Sequence, residues 1–136
     1  MIRDEPEPGA TAEAAFVVRD SDLASALSEG HRDSFPPVFA TARMVALMEL
    51  AAARILAPLL EPGELSVGVL VNIVHTAATP PGATATAQAR YTGREGKKYN
   101  FEIVARDEGG EIGRGTHQRA VIQTERLLEG SRRRLR

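Results

Sequence analysis

Glu49 is the residue whose placement in this chain most invites chemistry. It lies in MVALMELAAA, the ten residues between Arg43 and Arg54, and is the only polar side chain among them. Burying a charged carboxylate costs several kcal/mol unless it is paired or hydrogen-bonded, and its neighbours three and four positions away are Val45, Ala46, Ala52 and Ala53. Two readings stay open: a salt bridge to a distant arginine, with Arg119 a candidate, or a carboxylate kept as base or nucleophile. His75 closes the run NIVH just before TAATPPG. It is either a packing residue or a proton carrier, since imidazole titrates near neutrality. His31, in a polar loop, and His117, in GTHQR, are weaker candidates. Gly68 interrupts a β-branched run, which implies close approach of a helix or a ligand to the backbone.

Other chemistries lose their residues. The chain has no cysteine, which excludes disulfides, a thiolate nucleophile and cysteine-ligated metals. The three histidines are scattered without an H-x-x-x-H spacing, so no metal is expected. No G-x-S-x-G elbow occurs. In GREGKK the second glycine of a phosphate loop falls on Lys98, and after Gly113 and Gly115 a dinucleotide fingerprint meets Gln118.

These residues need elements to hold them. From Thr41 to Leu60, Met44, Leu47, Met48, Ala51, Ala52, Ile55, Leu56 and Leu59 recur at helical spacing. Thr41 stands where an N-cap belongs, and Pro58 with Pro62-Gly63 limits the far end. Apolar nearly all round, this helix is expected to be enclosed. A strand is read before it, Glu13 to Asp20, then a polar stretch, SDLASALSEGHRDSFPP, as a loop or a short helix and loop. After the helix, Leu65, Val67, Val69, Val71, Ile73 and His75 are read on one face of a strand. Strands follow over Ala83 to Thr92 and KKYNFEIVARD. A hairpin turn at Glu108-Gly109-Gly110-Glu111 then leads into one last long strand, EIGRGTHQRAVIQTERL.

A chain of 136 residues with 43 % hydrophobic and 26 % charged residues is one ordinary globular domain. The reading divides it into a flexible leader over 1–10, one domain over 11–128 and a basic tail over 129–136 that carries Arg132, Arg133, Arg134 and Arg136. A net charge of −1 and only six aromatics give no footprint for nucleic acid. No apolar run is long enough to span a membrane, and the acidic start lacks a secretory pattern, so a cytoplasmic location is expected. Fifteen arginines against two lysines suggest a GC-rich bacterial source. One apolar helix must cover the inner face of all the strands, which makes an α+β fold with an antiparallel sheet wrapped round it. Such a sheet leaves open edges, and pairing with a second copy hides them, so a homodimer is expected.

Strand, long wrapped helix and lone helix glutamate together look like a hot-dog fold. PPVFATARMVALMELAAARILAPLLEPGE, VGVLVNIVHTAATPPGATATAQA and EIGRGTHQRAVI, in that order, resemble the fluoroacetyl-CoA thioesterase family over Phe35 to Ile122. The resemblance implies a homodimeric acyl-CoA thioesterase with no metal, coenzyme A entering only as part of the substrate. It places the catalytic threonine on Thr41, the glutamate on Glu49 and the histidine on His75. Substrate contacts fall on Gly68 and Arg119, and a lid aromatic on Phe35. Arg32 stands where the family has a second lid phenylalanine, and Leu50 where it has a tryptophan. Hydratases of the same fold use Asp-x-Asn-x-x-His, but here the aspartate position is Leu70. A thioesterase for carrier-protein-bound acyl chains, with the arginine tail docking an acidic carrier, and a non-catalytic acyl-binding protein are the alternatives.

Overall fold

A computed structural model describes residues 5–136 of the chain. Strand β1 (Thr11–Val17) is followed by two short 3-10 turns, then helix α1 (Thr41–Leu56), which runs into a further 3-10 turn at Ala57–Leu59. Strands β2 (Glu64–His75), β3 (Thr84–Glu95), β4 (Lys98–Asp107) and β5 (Gly110–Gln123) follow, and helix α2 (Thr124–Arg134) closes the chain. The strands make one antiparallel sheet in the order β1-β3-β4-β5-β2, curled about α1. The hot-dog reading holds.

Helical spacing decides which side of α1 is buried. Met44, Leu47, Met48, Ala51, Ala52, Ile55 and Leu56 face the sheet, where each large side chain contributes about 1.5–3 kcal/mol by leaving water. Alanines at 85, 87 and 89 of β3 let the helix lie close to the strand. The opposite stripe, Ala42, Ala46 and Leu50, stays exposed. A single chain therefore does not enclose the helix all round, as its composition had suggested.

Strand β2 departs from simple alternation. Gly68 stands opposite Arg119 of β5, while Val71, Ile73 and His75 stand opposite His117, Gly115 and Gly113. Three residues of β2 thus span two of β5, a bulge between Gly68 and Leu70 that flips side-chain parity. Leu65 and Val67 consequently do not share a face with Val71, Ile73 and His75. The correction matters functionally: Gly68 and His75, seven positions apart, would lie on opposite faces of a regular strand, and the bulge brings both to the helix side.

Contacts tie down segments near both ends of the described residues. Residues 1–4 of the expected flexible leader lie outside the described residues. Its remainder is held down: Gly9 N–H donates to the Tyr91 carbonyl at 3.1 Å, Tyr91 donates its hydroxyl to Glu5 at 2.8 Å, and Pro6 is buried. The last strand stops at Gln123 and the chain turns into α2, where Glu129 takes hydrogen bonds from Arg132 and Arg136. The basic tail over 129–136 is thus mostly helical, its charges partly tied along the helix. Among the described residues no helix is long and apolar enough to cross a membrane.

Candidate active site

The first group of site residues forms where α1 begins. Leu23 bridges to Phe39, and Phe39 packs edge-on against Phe16 of β1 with ring centres 5.8 Å apart. Asp22 is buried, accepts from the Arg19 backbone N–H at 2.9 Å, and through its carbonyl accepts from Ala40 N–H at 2.9 Å. These contacts fix the chain on either side of the strap 28–37. Ala40, not Thr41, is the N-cap, and no side chain caps the helix. Thr41 is the first helical residue, and its hydroxyl is free for another task.

That task is a hydrogen bond of 2.8 Å between Thr41 Oγ1 and His75 Nδ1. The His75 ring stands at the end of β2 with Nε2 buried and no well-formed hydrogen bond among the described residues. Desolvation pushes its pKa below the ordinary histidine value, an effect the backbone of Ala77 only partly offsets, so the ring is neutral near pH 7 and able to accept a proton. An open pocket of about 390 Å³ lies against the pair, lined also by Pro36, Val38 and Ala77. Phe35 is beside this pocket in sequence, on the strap, and 49 % exposed.

The second group lies farther along the same helix. Glu49 Oε2 accepts from Arg119 Nη1 at 3.0 Å, so the salt-bridge reading of Glu49 is realised in the single chain. Arg119 is buried and fully oriented: Nε donates to Ser66 Oγ at 2.9 Å, Nη2 to the Ser66 carbonyl at 3.0 Å, and Nη1 lies 3.1 Å from His117 Nε2. Burial lowers its pKa from the usual arginine value while Glu49 works the other way, and a guanidinium stays charged in any case. The Glu49 side chain is 38 % exposed, and among the described residues only Oε2 is hydrogen-bonded. Gly68 lies directly beneath it: a Cβ there would overlap Glu49 Oε2 and stand 3.1 Å from the His117 ring. The close approach read from Gly68 is thus made by a helix carboxylate.

Sequence reasoning undervalued two residues, Ser66 and His117. His117 is 2 % exposed, and a signal for it existed. It sits two positions before Arg119 on a strand, hence on the same face, where the two side chains are neighbours.

Thr41 and Glu49 do not meet within one chain. Eight residues of helix separate them by about 12 Å along the axis and about 80° around it. The structure brings together Thr41 with His75, and Glu49 with Arg119 and Gly68, as two separate groups along one helix.

Comparison with known proteins agrees with this architecture. Residues 18–125 match the model of the family described as fluoroacetyl-CoA-specific thioesterase. The fluoroacetyl-CoA thioesterase of Streptantibioticus cattleyicolor is 52 % identical over 93 residues, 68 % of this chain and 67 % of that protein. A solved structure of the fluoroacetyl-CoA thioesterase FlK superposes with a TM-score of 0.90 at 42 % identity, covering 96 % of this chain and 98 % of that one. A thioesterase-superfamily protein from Thermus thermophilus gives a TM-score of 0.84 at 30 % identity, over 96 % of this chain and 93 % of that one. With a matching core that runs from before the strap to the end of β5, this chain belongs to the fluoroacetyl-CoA-specific thioesterase family of hot-dog thioester hydrolases.

Proposed function

We propose that this protein hydrolyses acyl-CoA thioesters with a small or medium acyl group. It does so as a homodimer whose two sites each take Thr41 and His75 from one copy and Glu49, Gly68 and Arg119 from the other. The observation that carries this reading is the separation of the two half-sites along one rigid helix. Two further features support it. Strand β2 is an edge of the sheet and exposes Val69, Leu70, Val71 and Val74, a row of apolar side chains and unpaired backbone groups that a second copy would cover. The exposed stripe of α1 is apolar, with alanine at 42 and 46 on either side of Val45, so two such helices can approach closely there. A two-fold axis near Val45 sets Thr41 of one copy beside Glu49 of the other.

In that arrangement the carboxylate of Glu49 either attacks the thioester carbonyl, expelling the CoA thiolate and giving a mixed anhydride that water then cleaves to the acid and free Glu49, or takes a proton from the water that attacks the carbonyl. Arg119 holds Oε2, so Oε1 is the oxygen presented for reaction. Thr41 orients His75, whose Nε2 relays a proton to the departing thiolate or from water. The first N–H groups of α1, without partners inside the helix, supply positive potential for the oxyanion. Phe35 closes over the acyl group from the strap. Coenzyme A enters as part of the substrate, with no metal in the chemistry, and a cytoplasmic enzyme meets that substrate.

Thiol release from acetyl-, fluoroacetyl-, longer-chain and aryl-CoA, wild type beside Glu49→Gln, tests the reading. Turnover that collapses in the variant is the expected result. A folded dimer inactive across the whole panel would overturn it in favour of carrier-bound acyl chains or sequestration without turnover.

A further inference from the structure

His117 is a buried polar group for which the chemistry above has no use. Its ring stands between strands β2 and β4, with Nδ1 2.7 Å from the Leu70 carbonyl, Nε2 3.1 Å from Arg119 Nη1, and its face 6.3 Å from the Phe101 ring centre. A carbonyl only accepts and a guanidinium only donates. Nδ1 therefore carries the hydrogen and Nε2 the lone pair. Two one-way partners fix one tautomer of a neutral ring. The Leu70 carbonyl that selects it lies at the edge of the bulge in β2.

We propose that His117 is a positioning residue for catalysis: as the neutral Nδ1–H tautomer it accepts from Arg119 Nη1 and so aims that guanidinium, and through it the carboxylate of Glu49, at the substrate. The inference rests on the reading of Glu49 given above. Arg119 Nη1 donates to both His117 Nε2 and Glu49 Oε2, so the position of one partner determines the other. Protonation of His117 would replace the acceptor with an N–H and set an imidazolium against a guanidinium. The charged groups facing it are Arg119 on its own strand and Glu49 on α1, 3.9 Å away. Leu70 and Phe101, from β2 and β4, bring no charge. Burial, with the Arg119 charge adding to it, moves His117 below the ordinary histidine value despite the Leu70 carbonyl and Glu49. The neutral state therefore persists to mildly acidic pH.

The test uses three substitutions in the full-length protein, with Glu49→Gln in parallel. His117→Gln can keep an acceptor toward Arg119, His117→Asn keeps only the donor toward Leu70, and His117→Phe keeps the volume alone. Expected are kcat losses of about 10- to 100-fold in the Asn and Phe variants, the scale of a hydrogen bond to a charged group. KM should change little, and activity should be substantially recovered in the Gln variant. In His117→Gln the acid limb of the kcat profile should also move to lower pH, because the titrating ring is gone. Carbon-13 shifts of the wild-type ring should report the Nδ1–H tautomer at pH 7. Wild-type kcat in folded His117→Phe and His117→Asn, with Glu49→Gln inactive, would overturn the inference alone. Turnover surviving in Glu49→Gln would overturn the reading of Glu49 and this inference with it.

Discussion

The space where Gly68 would carry a side chain is the space that the Glu49 carboxylate occupies. One strand residue has no Cβ because a helix residue needs its oxygen there. Gly68→Ala is expected to push Oε2 off Arg119 and lower kcat by about 100-fold, the scale of a misplacement of about 1 Å. Added to Glu49→Gln, it should cost little more. Steady-state kinetics of the two single variants and the double variant check this, and fully additive losses would separate the two residues.

Glu49→Gln retains shape and an acceptor for Arg119 while removing the charge. Turnover should fall by at least about 100-fold, the lower end for a positioned acid–base group, with the melting temperature close to wild type. Circular dichroism beside the thiol-release assay separates loss of chemistry from loss of fold.

Stability should fall on mild acidification. His75 and His117 both have folded-state pKa values below the ordinary 6.5. The unfolded chain therefore binds protons first as pH drops. Their contribution is complete above the unfolded value and is lost as pH falls through the window from there to the lowered folded values. Denaturant midpoints measured from pH 8 to pH 5 should decline, and less steeply in His117→Gln.

Pairing through β2 predicts a dimer in sedimentation equilibrium. Val71→Glu with Val74→Glu places charges on the exposed edge strand and should yield a folded monomer lacking thioesterase activity. An active monomer would contradict a site shared between copies.

Phe35 is half exposed on a strap whose turn closes on the Asp33 carboxylate and whose far end is tied by the Ser25–Pro36 hydrogen bond. Phe35→Ala should leave acetyl-CoA turnover in place while changing the ratio of kcat/KM among acyl groups by about 10-fold, the scale of one buried methylene. The acyl-CoA panel reads this directly.

Much of this was legible in the residues. The spacing from Met44 to Leu56 defines α1, and alternation defines β3 and β4, because each pattern buries one face and admits one period. Glu49 stood out as a lone carboxylate, and Arg119 was a possible partner. The parity of β2 differs from simple alternation because Gly68, which in a strand marks either a close approach or a bulge, does both here. The turn from β5 into α2 was missed because VIQTERLL suits strand as well as helix. There Thr124 N–H bonds the Gly63 carbonyl at 2.9 Å, a contact 61 residues away in sequence. His117 looked like one more scattered histidine, since its importance lies in a carbonyl of β2 and a guanidinium two residues on.

Helix α1 also works as a ruler. In the proposed dimer, with Thr41 and Glu49 eight residues apart, the crossing point of two copies falls midway, and an insertion between them would alter both sites together. The same geometry makes inactivating changes complementary. On the proposed shared site, a Thr41→Ala chain and a Glu49→Gln chain should each be impaired in their own homodimers, while a mixed dimer should assemble one site with both defects and one with neither. Co-expressing the two at equal levels should give half mixed dimers and so restore about a quarter of the wild-type activity, and two recessive lesions in one gene would rescue each other.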